Sequence, residues 1–230
     1  MGQPATTRPP SHPPPLPPAT QAYPSLLGKA LISKFDDAVD LPYLFKVLSV
    51  HKALSIQAHP DKTLAAHLHA TRPDIYKDGN HKPEMALALS DFSALCGFVD
   101  LPVLSDHIQT TPELAQLLQA RGVTTTTREG EPQITTRDDL QRAWRALMAS
   151  PEELYAPAIR ALVARLSAMP EQQRSDLDRL VLRLDEQFPS DVGILAAYFL
   201  NHLSLPDGDA IYLGANEPHA YLRYGVKQRT

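Results

Sequence analysis

Two apolar runs predict β-strands that lie far apart along the chain. Residues 41–50, LPYLFKVLSV, are almost wholly apolar and rich in β-favouring side chains, with one charge at Lys46, and predict a buried strand. Residues 210–213, AIYL, lie between the turn residues 206–208 and Gly214 and predict a second strand.

A short helix is predicted between these two strands. Asp61 can cap a helix over residues 62–70, which Pro73 follows. His67 and His69 diverge by roughly 200° around such a helix, because each residue turns the helix by one part in 3.6. We therefore predict that they lie on the surface and do not form a metal-binding pair.

From about residue 111 to residue 203 the hydrophobic period is helical. Residues 110–113 form a start signal and Gly122 a stop signal. Residues 192–203 are apolar on nearly all sides and predict a buried helix. Apolar stripes of this kind are more often a domain core than a partner-binding face. The predicted core positions are Leu114, Leu117, Leu118, Leu140, Trp144, Leu147, Met148, Leu177, Leu180, Val181, Leu184 and Phe188.

Length and composition indicate a globular protein. The chain has 230 residues, 43% of them hydrophobic, which is enough for one large or two small domains. A net charge of −4 and the lack of a basic run exclude a general attraction for nucleic acid. The single cysteine, Cys96, lies in an apolar context and predicts a buried, inert thiol in a reducing compartment. No run is apolar enough for a membrane span or a signal core, so we expect a cytoplasmic protein.

The first 24 residues differ from the rest in composition. They contain nine of the 22 prolines and predict an extended or disordered leader. This leader is either a ligand for a proline-recognising module or a segment without specific function.

Three short motifs contain the residue types of a metal site. They are IQAHPDK at 56–62, NHKPE at 80–84 and NEPH at 216–219. In an extended segment alternate side chains share a face, so Gln57 and His59 would project together. A single histidine is more often a hydrogen-bonded structural residue than a ligand. The motifs are informative as a set.

Four runs together resemble the type I mannose-6-phosphate isomerases, also called phosphomannose isomerases. They are residues 41–62, 76–89, 95–98 and 208–222, in the order in which the family has them. The resemblance implies one zinc ion and the interconversion of mannose 6-phosphate and fructose 6-phosphate, which supplies mannose for GDP-mannose and glycosylation. The zinc ligands that it implies are Gln57, His59, Glu84 and His219.

The resemblance also implies an α+β fold, in which an all-helical domain is inserted into a cupin-type β-barrel that is incomplete here. We expect a monomer that binds a small sugar phosphate and neither nucleic acid nor membrane. The expected parts are a leader (1–24), a first cupin part with the metal motifs (25–104), a helical domain (105–206), a returning cupin strand (207–222) and an off-family tail (223–230).

Four further residues are candidates for the sugar site. Ser55 and Tyr221 alternate with Gln57 and His219, and the resemblance assigns Ser55 to the phosphate. For both hydroxyls a structural hydrogen bond is an open alternative. Lys82, two residues before Glu84, can bind phosphate or transfer a proton. Lys46 can reach a phosphate, or its stem can pack while its amine remains in water.

The resemblance fades at both ends, so we expect an incomplete version of the family's chain. The arginine that the family uses in catalysis is expected to be absent, because neither Arg223 nor Arg229 lies in matching sequence. The alternative function is a catalytically inactive fragment that retains metal or sugar-phosphate binding. A cupin oxidase or dioxygenase is a third possibility, but it would not explain the NHKPE and NEPHAYL blocks or the inserted helices.

Overall fold

The computed structural model describes Tyr23, Ser25 and residues 28–34, 43–124 and 134–224. The predicted leader and residues 225–230 therefore lie almost wholly outside the described residues. The chain divides into two units, residues 1–48 and 49–230. The described part of the first unit contains one short helix, α1 (Lys29–Lys34).

The predicted buried strand at 41–50 is wrong for the residues that the structure describes. Residues 43–50 belong to no strand, and residues 43–48 are exposed. The side chain of Phe45, for example, is 85% exposed. An apolar run becomes a buried strand only when neighbouring strands pair with its backbone, and no described strand pairs with this one.

The second unit contains helices α2 to α8 and strands β1 to β5. The helices are α2 (Lys62–Thr71), α3 (Leu101–Thr110), α4 (Pro112–Ala120), α5 (Arg137–Met148), α6 (Glu152–Ala168), α7 (Asp176–Gln187) and α8 (Gly193–Ala196). The strands are β1 (Glu84–Leu87), β2 (Phe92–Phe98), β3 (Leu200–Leu205), β4 (Ala210–Leu213) and β5 (His219–Tyr224). Short 3-10 helices cover Glu171–Gln173 and Ala197–Phe199. Among the described residues no helix is both long and apolar enough to span a membrane.

The strands form two antiparallel sheets. β1 pairs with β4, with Glu84 opposite Leu213. The other sheet has the order β3-β2-β5, with Cys96 opposite His219. This arrangement confirms an α+β fold, and within the described residues the sheets do not close into a barrel. The strand predicted at 210–213 is confirmed as β4.

Helices α3 to α8 build a helical layer between β2 and β3 in the chain, and most predicted core positions are confirmed. Eight of the twelve are buried, and Trp144 and Leu177 pack against the same core. Met148 and Phe188 are exposed instead, because each lies at the end of its helix, where the apolar stripe leaves the core. Trp144 packs edge-on against Phe98 of β2, with ring centroids 5.1 Å apart, and so joins the helices to the sheet.

The predicted helix at 192–203 is only half correct. Residues 193–199 are helical and residues 194–200 are buried, but Leu200–Leu205 is strand β3, paired with β2. A short apolar run that is buried on all sides has the same periodicity in either structure. Pairing with β2 makes residues 200–205 a strand. The sequence of residues 192–203 alone does not indicate that a partner strand is present.

Candidate metal centre

The candidate site is assembled from three segments that meet beside β5. His219 begins β5, and its backbone exchanges two hydrogen bonds of 2.8 Å with Gln57. His59 follows Gln57 by two residues in the same extended segment. Glu84 begins β1. The site therefore takes one side chain from each of three segments: the extended segment before α2, strand β1 and strand β5.

The structure brings His59, Glu84 and His219 together. One potential ligand atom from each lies within 4.8 Å of the other two. His59 Nε2 is 3.3 Å from Glu84 Oε1, and His219 Nε2 is 3.7 Å from Glu84 Oε2. Two imidazoles and a carboxylate are the ligands of many catalytic zinc sites. The geometry therefore suits a divalent metal ion.

The tautomer of His219 is set by the backbone. Its Nδ1 lies 2.9 Å from the carbonyl oxygen of Glu217, which can only accept a hydrogen bond. We therefore assign the proton to Nδ1, so that Nε2 presents its lone pair towards Glu84 and His59. A ligand histidine in proteins is usually oriented in this way by a partner on its other nitrogen.

His59 also has the features of a ligand. Its Nε2 is buried and has no hydrogen-bond partner among the residues that the structure describes. Burial, reinforced by the charge of Lys82, lowers the pKa of His59 below its ordinary value, so the neutral imidazole is favoured. An orphaned, neutral imidazole nitrogen beside a carboxylate is what a metal site needs.

Glu84 is held as a carboxylate by two neighbours. Burial alone would raise its pKa, but hydrogen bonds from Lys82 and Tyr221 and the charge of Lys82 outweigh burial and lower it. Lys82 Nζ lies 2.9 Å from Oε1, and the Tyr221 hydroxyl donates to Oε2 at 3.0 Å. Burial and the bond to Glu84 raise the pKa of Tyr221, so its hydroxyl stays protonated and remains a donor.

The predicted residues Gln57 and Ser55 differ in their placement. Gln57 is directly opposite His219 in an antiparallel pair, so the two side chains share a face. Its amide is exposed and has no hydrogen bond to a described residue. Ser55 is also exposed, and the backbone pairing has shifted by one residue, because Leu54 rather than Ser55 donates to the Tyr221 carbonyl. Ser55 is therefore not directly opposite Tyr221, and its contact with the phosphate stays a prediction.

The remaining predictions have mixed outcomes. Lys46 is exposed in the first unit and stays a sequence prediction. His67 and His69 are exposed on α2, as predicted, and Asp61 caps that helix. Cys96 is half-buried rather than buried, and burial raises the pKa of its thiol, which keeps it protonated.

Glu217 and Asn216 support the site and were not predicted from the sequence. Glu217 acts through its backbone carbonyl, which no side-chain pattern reveals. Asn216 has a φ of 64°, in the left-handed region that asparagine tolerates better than most residues. The one sequence feature that could have indicated a role for Asn216 is its position in the NEPH motif.

Fold and site together define a class: a metal-binding protein with one histidine and one carboxylate on β-strands, a second histidine on the extended segment before a helix, and a helical layer inserted between the strands. Two family models match the chain. The catalytic domain of type I phosphomannose isomerase matches residues 19–101, and the helical insertion domain of the same family matches residues 114–200. The chain belongs to the type I phosphomannose isomerase family.

Curated relatives agree with this assignment. The chain is 44% identical over 203 residues to mannose-6-phosphate isomerase 1 of Arabidopsis thaliana, covering 86% of this chain and 46% of that protein. It is 43% identical over 225 residues to the mannose-6-phosphate isomerase of Cryptococcus neoformans, covering 88% and 52%. The chain thus spans about half the length of the curated relatives that it matches.

A solved structure has the same fold. The mannose 6-phosphate isomerase of Salmonella typhimurium, bound to fructose 6-phosphate and zinc, superimposes with a TM-score of 0.71 at 28% identity. The match covers 90% of this chain and 51% of that one.

Proposed function

We propose that this chain is a zinc-dependent aldose-ketose isomerase that interconverts mannose 6-phosphate and fructose 6-phosphate. The observation that carries the proposal is the cluster of His59, Glu84 and His219, whose ligand atoms lie within 4.8 Å of one another. Family membership and the zinc and fructose 6-phosphate of the Salmonella typhimurium structure support it.

The side chains present fit a zinc ion. His59, Glu84 and His219 would hold it, with the exposed amide of Gln57 as the fourth ligand. Two neutral imidazoles, one amide and one carboxylate leave a net charge of about +1 on the centre and allow substrate oxygens to bind. When bound, zinc supplies Lewis-acid stabilisation of the negative charge that develops on the sugar oxygens during isomerisation.

Lys82 and Tyr221 have different tasks in this proposal. Lys82 is exposed at the rim of the site and its Nζ contacts Glu84, so its ammonium is next to the metal ligands and open to solvent. It can hold or move a proton of the substrate, or pair with the phosphate. Tyr221, by donating to Oε2 of Glu84, orients the carboxylate and lines the site. Ser55 and Lys46 remain proposed contacts for the phosphate.

The proposed function is tested by a coupled assay for fructose 6-phosphate formed from mannose 6-phosphate. Purified chain is assayed after chelation, with and without zinc. We expect turnover that returns only with the metal, and Lys82→Met should lower kcat by about 100-fold or more if Lys82 transfers a proton. A rise in KM alone would assign Lys82 to the phosphate. Lys77→Met, at an exposed lysine on the loop before β1, is the matched control and should change neither.

A second candidate function is binding without catalysis. The open arrangement of the two sheets within the described residues favours it, because such a site is less shielded from water than a closed one. Zinc-loaded, folded chain that binds fructose 6-phosphate but shows no turnover would support this candidate and overturn the isomerase.

We also propose the cellular setting that follows from this reaction. The chain would act as a cytoplasmic monomer and supply mannose for GDP-mannose and glycosylation. Sedimentation of the purified chain tests the monomer, and a dimer at micromolar concentration would contradict it.

A further inference from the structure

The two histidines of the site come from segments that are distant in the chain. His59 precedes α2, and His219 begins β5. A metal ion can tie such segments together, but only after paying the entropy of bringing its ligands to one place. A protein that fixes the spacing of the ligands beforehand binds the metal more tightly. Contacts that join the two segments without using the ligands themselves would fix this spacing.

Asp61 and Asn216, 155 positions apart, make such a contact. The backbone N–H of Asp61 donates to Asn216 Oδ1 at 3.3 Å, and Asn216 Nδ2 donates to Asp61 Oδ2 at 3.0 Å. The backbone N–H of Asn216 also donates to the carbonyl of His59 at 2.7 Å. We refer to these three hydrogen bonds as the Asp61–Asn216 clasp.

Each of the two clasp residues lies close in sequence to one of the proposed metal ligands. Asp61 lies two residues after His59, and its other carboxylate oxygen caps α2 by accepting from Leu64 N–H at 2.9 Å. The clasp therefore holds the His59 segment against the start of a helix as well as against the opposite loop.

On the other side, Asn216 is followed by the residues that orient His219. The Glu217 carbonyl accepts from His219 Nδ1, and the Pro218 carbonyl accepts from the backbone N–H of Gly97 in β2 at 2.9 Å. The left-handed conformation of Asn216 turns the chain into this arrangement. Few residue types both adopt that conformation and offer one donor and one acceptor on the side chain.

We propose that Asp61 and Asn216 are positioning residues, which hold His59 and His219 at the spacing of the metal site before the metal binds. The proposal rests on the proposed zinc site. Neither residue belongs to the cluster of potential ligands, which is His59, Glu84 and His219. Their effect should therefore appear in the affinity and geometry of the bound metal, and not as loss of a ligand.

The decisive variant is Asn216→Gly. Glycine adopts a positive φ without strain, so the turn is kept and only the two hydrogen bonds of the Asn216 side chain are lost. Asp61→Asn is the second variant. The new amide oxygen can still cap the helix, but the new NH2 group then faces the NH2 group of Asn216. If the Asn216 amide rotates, its NH2 group faces the backbone N–H of residue 61 instead. Thr110→Ala is the matched control, because the exposed Thr110 lies outside the three metal motifs and its hydroxyl donates a local hydrogen bond of 2.8 Å to the Asp106 carbonyl.

Two measurements on the full chain test the proposal. Zinc affinity is measured by competition with a chromophoric chelator, and metal geometry is read from the visible absorption of the cobalt(II)-loaded chain. We expect Asn216→Gly and Asp61→Asn each to weaken zinc binding by about 10-fold and to change the cobalt spectrum. This loss is at the lower end of the range for substitutions of residues that support metal ligands without binding the metal. The double variant should lose little more than either single one, since both remove the same contact.

The possible failures are distinguishable. If the unmodified chain takes up no zinc, the proposed metal site is wrong and this proposal falls with it. If the unmodified chain binds zinc but Asn216→Gly matches it within twofold with an unchanged cobalt spectrum, the clasp has no positioning role and the proposed function stands. An effect of Thr110→Ala as large as that of Asn216→Gly would assign the loss to general stability and would likewise overturn the proposal.

Discussion

The hydrogen bonds of individual nitrogen and oxygen atoms favour metal binding at the candidate centre. Nδ1 of His219 is hydrogen-bonded to a carbonyl, and both oxygens of Glu84 accept hydrogen bonds. Nε2 of His59 is buried and has no hydrogen-bond partner in the described part of the chain. Because the two histidines present unprotonated nitrogens and the glutamate stays ionised, the site needs little rearrangement of protons to accept a divalent ion.

Removal of the Tyr221 hydroxyl should weaken this preparation. In Tyr221→Phe the Oε2 atom of Glu84 loses its donor, so the carboxylate is less well oriented. We expect the Kd for zinc to rise by about 10-fold, the usual size of such an effect. The measurement is chelator competition at pH 7. Tyr212→Phe, at an exposed tyrosine in β4, is the control and should leave the Kd unchanged. Equal affinities for Tyr221→Phe and the unmodified chain would rule out this role for the hydroxyl.

At the scale of residues, the sequence predicted which of the proposed ligands lie close together better than it predicted their surroundings. The resemblance to the family implied His59, Glu84 and His219 as ligands, and these three side chains do come together. The shifted pairing at Ser55 was not predictable, because an irregularity in one strand depends on its partner strand. The carbonyl of Glu217 was not predictable either, since every residue has one.

Among the elements, α5 shows how a helix start is encoded. Thr136 accepts from the backbone N–H of Asp139, and Asp139 accepts from the backbone N–H and the hydroxyl of Thr136, which forms a capping box. The hydrogen bond from Thr136 is the main cause that lowers the pKa of Asp139 to about 2. The negative charge also lies at the positive end of the helix dipole.

Asp139→Asn should therefore destabilise the chain in a pH-dependent way. At pH 7 we expect a loss of about 1 kcal/mol in the free energy of unfolding, the typical size of a cap contribution. A lowered folded-state pKa stabilises above the unfolded value of 3.8, and that stabilisation disappears as the pH falls towards about 2. The difference between the variant and the unmodified chain should therefore shrink over that range.

Urea unfolding at several pH values measures this difference. Asp138→Asn is the matched control, because Asp138 is next to Asp139 in the first turn, shares the dipole and lies outside the capping box. Destabilisation by Asp138→Asn of the same size would show that the dipole, and not the capping box, is responsible.

Elements with a local signal were predicted, and those that depend on distant pairing were not. The helix capped by Asp61 and the strand 210–213 have boundary residues in the sequence itself. Two predictions were wrong: the helix at the end of the 192–203 run, which is strand β3, and the strand at 43–48, which is unpaired among the described residues. Their state depends on whether another strand is present beside them, which hydrophobicity alone does not specify.

Considered as a whole, the second unit combines a well-packed helical layer with sheets that are only partly covered. The core around Leu162 and Phe199 is fully buried. By contrast, one surface of the β1/β4 sheet exposes Met85, Leu87 and Tyr212, with Met85 at 75%. Apolar sheet surfaces of this kind favour association. The metal centre lies at the edge of this less covered part, where a bound ion would add a link between segments.

The most direct test of the account is a zinc titration of the chelated chain, followed by metal analysis. We expect one zinc ion per chain, loss of that ion in His219→Ala, and full retention in His67→Ala, which removes an exposed histidine of α2. Binding should also raise the melting temperature of the unmodified chain, because the ion joins segments that are distant in sequence. Zinc uptake by His219→Ala equal to that of the unmodified chain, or a melting temperature indifferent to bound zinc, would contradict the account.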